Sequence, residues 1–288
     1  QLMIARLEAL PGGDRAKAAA AATKALELVG DDRLQQAQAQ IVLGSIEDDS
    51  ARRLERYAKA VELAPRDADV RRTRGLALLV EDKFDEARED LLAATQEDRD
   101  DASLFEALGM ACMMGDRLDE AEKAFDKALE IAPDAAGVLL QRGRLLAVRG
   151  ETERSLADIG KVLEIAPDDA SARVLRARVH QQAGDTEKAL ADVDAVLRDE
   201  PEMAAALELR GLIAAEQGDF AAAIRDFRRL VARNADDPVL VAQLGTLYLA
   251  AKQPREAIRR FTRALELDED NFPSRRGRSD AEITIGDH

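Results

Sequence analysis

The stretch "LFEALGMACMMGDRLDEAEKAFDKALEIAP", Leu104 to Pro133, decides the fold. Its two halves each place apolar residues at helical spacing, and a glycine-aspartate break divides them. Farther along, the same kind of break carries Gly150, Gly184 and Gly218. A residue that tolerates positive φ ends one helix there, and an adjacent Asp or Glu helps to start the next. The stretch therefore reads as a helix hairpin, which cannot bury its own apolar faces alone and must stack on copies of itself.

The copies are present. Pro65, Pro133, Pro167 and Pro201 are separated by 68, 34 and 34 residues. That period divides the chain into units 34–67, 68–101, 102–135, 136–169, 170–203, 204–237 and 238–271. The eighth position of the last six units holds Gly75, Gly109, Gly143, Ala177, Gly211 and Gly245, and the twentieth holds Ala87, Ala121, Ser155, Ala189, Ala223 and Ala257. The twenty-fourth is bulky and apolar throughout: Tyr57, Leu91, Phe125, Ile159, Val193, Phe227 and Phe261. Small residues at two fixed places let the paired helices approach closely. The expected fold is all-α, an α-solenoid of stacked antiparallel helix hairpins.

These positions resemble the tetratricopeptide repeat family: a 34-residue period, small residues at 8 and 20, an aromatic or aliphatic at 24, Ala near 27 and Pro at 32. Several of them agree in each of six units, and the resemblance spans residues 34–271. It implies a right-handed superhelix whose concave wall binds protein or peptide. Unit 34–67 is degenerate, with Ile41 at position 8 and Arg53 at position 20. Residues 1–33 read as the end of a first helix plus a second helix of one more unit, and 272–288 as the first helix of a truncated eighth. Both ends interrupt the pattern, so the chain reads as an excerpt of a longer protein that can self-associate through its uncapped ends.

Position 7 is arginine in four units (Arg74, Arg142, Arg176, Arg210) and leucine in two (Leu108, Leu244). Position 23 follows it: the arginine units carry Asp90, Asp158, Asp192 and Asp226, and the leucine units carry Ala124 and Arg260. In an antiparallel hairpin turning near position 15, positions 7 and 23 lie opposite each other. Structural pairs Arg74–Asp90, Arg142–Asp158, Arg176–Asp192 and Arg210–Asp226 are expected within the hairpins, in place of ligand-binding arginines.

Composition narrows function by exclusion. Asp plus Glu number 57 against 42 Lys plus Arg, a net charge of -15, so the mean field repels phosphate backbones and anionic headgroups and nucleic acid is not an expected partner. No apolar run approaches the roughly 20 residues that span a bilayer, and no targeting segment is visible. A lone cysteine, Cys112, and two histidines, His180 and His288, supply neither a metal set nor a catalytic triad; no cofactor, metal or enzymatic activity is expected. His180, at position 11, is read as a packing residue, and acidic pairs such as Asp48–Asp49 and Asp168–Asp169 as caps. Localisation is left open.

What remains is the first helix of each unit. Positions 4, 7, 8 and 11 form the expected packing stripe, and 2, 5, 9 and 12 a second stripe that the resemblance assigns to the ligand groove. It reads Met110 and Met113, then Leu140 and Arg144, then Val174, Arg178 and Gln181, then Glu208 and Leu212. This expectation describes an interaction scaffold taking an extended peptide or helix of a partner. The alternatives are a regulatory or targeting arm of a larger enzyme and a structural spacer.

Overall fold

The computed structural model describes residues 1–286, in which seventeen helices and no strand occur. Asp287 and His288 lie outside the described residues. The chain divides into two compact units, Gln1–Arg149 and Gly150–His288. The first holds α1 (Leu2–Glu8), α2 (Arg15–Leu28), α3 (Arg33–Ser45), α4 (Ser50–Leu63), α5 (Ala68–Val80), α6 (Phe84–Glu97), α7 (Ala102–Met114), α8 (Leu118–Ile131) and α9 (Ala136–Val148). The second holds α10 (Thr152–Ile165), α11 (Ala170–Gln182), α12 (Thr186–Asp199), α13 (Ala204–Glu216), α14 (Phe220–Arg233), α15 (Pro238–Ala250), α16 (Pro254–Leu267) and α17 (Phe272–Gly286).

Local chemistry sets the boundaries. Asp67, Asp101, Asp169 and Asp237 each accept a backbone N–H in the first turn of α5, α7, α11 and α15, the usual service of an aspartate N-cap. In the acidic pairs it is the second member that caps, Asp49 for Arg52 and Asp169 for Ala172, while Asp48 and Asp168 bind Arg15 and Arg173. Four second helices, α4, α8, α10 and α12, stop before proline, which drives the preceding residue out of the α region. Ala64, Ala132, Ala166 and Glu200 accordingly take ψ of 69, 84, 84 and 77°. At the break, Gly150, Gly184 and Gly218 have φ of 74, 84 and 79°, and at the same position Asp82, Asp116 and Lys252 adopt 55, 59 and 56°. The left-handed residue belongs to the turn itself, which takes glycine in three units and tolerates a side chain in three.

Within each unit, neighbouring helices pack in chain order. Successive first helices also touch, α1 with α3, α3 with α5, α5 with α7 and α7 with α9 in one unit, α11 with α13 and α15 with α17 in the other. Contacts between successive second helices are all but absent, so the first helices form the tighter, inner row of each unit.

The core is built on the small-large complement. A Cβ on Gly109 would stand 2.5 Å from the ring of Phe125, and one on Gly211 or Gly245 2.8 Å from Phe227 or Phe261. All three rings are buried. The degenerate repeat solves the same problem with a shift: the glycine against Tyr57 is Gly44, not the residue at position 8. Its Arg53, where other units have a small residue, donates to the Glu47 carbonyl in the turn.

Sequence periodicity alone indicated one packing stripe on the first helices; the structure shows two. Positions 3, 6 and 10 are buried as well, as Leu104, Ala107 and Ala111 in α7 and Ala206, Leu209 and Ile213 in α13. A first helix is enclosed by its own partner on one side and by the preceding hairpin on the other, so only a narrow stripe faces water.

Candidate functional site

The inner stripe of the first unit is apolar. On α5, Leu76 is 44% and Val80 74% exposed; on α7, Met114 is 46%; on α9, Val148 is 74%. Met110, Met113 and Leu140 lie half-buried among these helices, and Arg144 is exposed, with no acidic partner among the described residues. Val80, Met114 and Val148 all occupy position 13, which the groove reading did not include. Their repetition at the 34-residue spacing was the available signal. One end of the stripe is polar, where Arg72 bonds Asp69 and Asp101. Gly137 leaves room for the Glu106 carboxylate: a Cβ there would be 3.1 Å from its Oε1.

The second unit presents a polar stripe. Arg178 is exposed, and Gln181 donates to both Glu216 carboxylate oxygens, at 2.9 and 3.0 Å. Val174 is only 6% exposed and belongs to the core of this unit. Glu208 is half-buried and Leu212 is 41% exposed.

The arginines at position 7 face carboxylates. Arg74 donates from Nε and Nη2 to Asp90 at 2.5 and 2.8 Å, Arg176 to Asp192 at 2.8 and 2.6 Å, and Arg210 to Asp226 at 2.7 and 2.8 Å. These forked, charge-assisted bonds push all three guanidinium pKa values up, with the aspartate hydrogen bond the largest cause in each case. Further members join that the hairpin comparison missed. Arg71 also donates to Asp90, and Arg210 also binds Asp194 of the preceding hairpin. Arg142 donates to Asp126, likewise of the preceding hairpin, and Asp158 is buried on α10.

Neither Cys112 nor His180 is set up for chemistry. Cys112 is 1% exposed and burial pushes its thiol pKa up, away from the reactive thiolate. Burial likewise depresses the His180 pKa, opposed by Asp192 and Asp185 and aided by Lys188 and Arg176; its Nδ1 has no hydrogen-bond partner. A depressed folded-state pKa means that the native chain resists protonation that the unfolded chain accepts. Stability from this group is therefore full above about pH 6.5 and lost as pH falls below it. Thermal melts from pH 8 to 5 should show a steeper acid loss for wild type than for His180→Leu. Parallel curves would assign the acid loss to carboxylates alone.

Among the described residues no group of three or more His, Cys, Asp or Glu side chains is arranged to hold a metal ion, and no helix is long and apolar enough to cross a membrane.

The stacked hairpins with an inner row of first helices define a helical-repeat scaffold. Profiles of the tetratricopeptide repeat match residues 72–136, 140–193, 174–238 and 214–277, and the chain belongs to that family. Proteins of this family bind protein or peptide partners, and their repeat scaffolds are generally non-enzymatic. No curated protein matches the chain. Among solved structures it is similar to YrrB, described as a TPR protein with an unusual peptide-binding site, at 25% identity and TM-score 0.57, over 66% of this chain and 97% of that one. A tetratricopeptide repeat protein from Parabacteroides merdae is 16% identical with TM-score 0.70, over 88% and 98%. Yeast Tom70 is 18% identical with TM-score 0.65, over 95% and 59%.

Proposed function

We propose that the chain is a protein-interaction scaffold holding an extended peptide or a helix of a partner against its inner row of first helices. The observation that carries this reading is the exposed apolar stripe of α5, α7 and α9. Four large apolar side chains in contact with water at one repeating surface favour a binding face. Met110 and Met113 adapt to varied side chains, and the free guanidinium of Arg144 takes a carboxylate in a forked geometry. The ligand is an apolar segment carrying an acidic residue. The peptide-binding site described for YrrB supports the same mode. In the second unit, Arg178 and Gln181 are the polar contacts we assign to a ligand, with Val174 supporting their helix from the core.

Panning a random-peptide display library on the whole chain tests this. Enriched peptides should combine apolar and acidic residues, and Val80→Asp with Val148→Asp, each at a position 74% exposed, should weaken them roughly tenfold or more, a loss of about 1.4 kcal/mol, without lowering the melting temperature. Undiminished binding to that variant would remove the stripe from the site.

Exposed Met3, Leu7 and Ile283, at 76, 61 and 58%, favour a second reading, a spacer that assembles through α1 and α17.

A further inference from the structure

Two second helices of the second unit, α14 and α16, carry a charge of the wrong sign for this protein. Between Phe220 and Leu267 nine basic residues stand against five acidic ones, in a chain whose net charge is -15. All five acids are already engaged. Asp226 is buried under Arg210, Asp237 caps α15, Asp236 and Glu266 bind Arg263 and Glu256 binds Arg259. Arg225, Arg228 and Arg255 are exposed and have no acidic partner among the described residues. Arg263 of α16 reaches Asp236 in the turn that follows α14, which ties the two helices together through that turn.

Register sharpens the anomaly. In the hairpin of α13 and α14, Arg210 at position 7 receives Asp226 from position 23 and Asp194 from position 25 of the preceding hairpin. One hairpin later the same three places hold Leu244, Arg260 and Arg228. Two carboxylates and one cation are replaced by two cations and an apolar residue. Arg260 lies 6.0 Å from the centroid of the Tyr248 ring, and its Nε is buried without an acceptor. The layer supplies guanidinium groups and no anion.

We propose that the outer face of α14 and α16 docks an acidic segment of a partner protein, whose carboxylates pair with the exposed guanidinium groups of Arg225, Arg228 and Arg255. A carboxylate-bearing segment fits better than a polyphosphate. Each helix is 14 residues long, about 21 Å at 1.5 Å per residue, so the basic face is small. A long polyanion would run beyond it into the field of an acidic protein. This surface is built by second helices of the second unit, not by first helices, and does not depend on the reading of the apolar stripe.

The test is fluorescence anisotropy of a labelled Glu-Ala peptide with the whole chain. Wild type should bind at low ionic strength and weaken with salt. Arg225→Ser with Arg228→Ser and Arg255→Ser, all at exposed positions, should bind roughly tenfold or more weakly with unchanged helicity and melting temperature. Equal binding by wild type and the triple variant would overturn the proposal. So would a single-stranded oligonucleotide or phosphatidylserine vesicles binding as tightly as the peptide through the same three arginines.

Discussion

Replacing Arg210 with leucine is expected to cost about 3–5 kcal/mol, more than replacing Arg210 with leucine and Asp226 with alanine together. Asp226 is 4% exposed, and Arg210 supplies both of the hydrogen bonds that satisfy its carboxylate. Leucine alone strands a buried charge. The double replacement removes charge and counter-charge and reproduces Leu108 with Ala124, which are 7 and 5% exposed three repeats earlier. Asp194, the other acceptor, has 56% of its side chain in water and is released at little cost. A ranking follows from the additional donor seen elsewhere. Arg74→Leu should cost less than Arg210→Leu, because Arg71 remains 2.8 Å from Asp90. Urea denaturation of the three variants decides this. Equal losses for the single and double Arg210 variants would show that Asp226 does not need its cation.

The second large effect concerns the closest approach of paired helices. Gly109→Ala should lose about 1–3 kcal/mol from overpacking, although alanine gains up to about 1 kcal/mol in helix propensity. The added methyl would meet three Phe125 ring atoms at 2.5 to 2.9 Å, and that ring is fully buried with nowhere to move. The repeat in the second unit shows the compensating solution, Ala177 with Val193 at the same two positions, both fully buried. In a Phe125→Val background, Gly109→Ala should therefore be neutral or stabilising. Thermal or urea melts of the four-member cycle should give a coupling of about 1 kcal/mol or more, in the range for residues in direct contact. Additive losses would mean that the helix pair yields by sliding and that the glycine is not a spacing device.

Much of this arrangement was written in the chain. The 34-residue period, the glycine-ring complement at positions 8 and 24, and the aspartate caps are properties of one hairpin and its junctions. They recur in the sequence because each hairpin must solve the same local problem. The Arg and Asp residues at positions 7 and 23 are visible for the same reason, being exchanged together within a unit. The candidate site was less legible. Position 13 carries Val80, Met114 and Val148 and was not read as part of the stripe, whereas Val174 was included there and lies in the core.

The sequence by itself determined the all-α repeat, its register, and which side chains complement each other inside a hairpin, because those depend on spacings along one or two helices. Only the tertiary structure decided which faces stay in water. The burial of positions 3, 6 and 10 and the reach of Arg210 to Asp194 and of Arg142 to Asp126 arise where one hairpin meets the preceding one. Solvent exposure of a side chain is a property of what packs over it, and in a stacked array the covering surface comes from a different repeat, whose residues no single helical period contains.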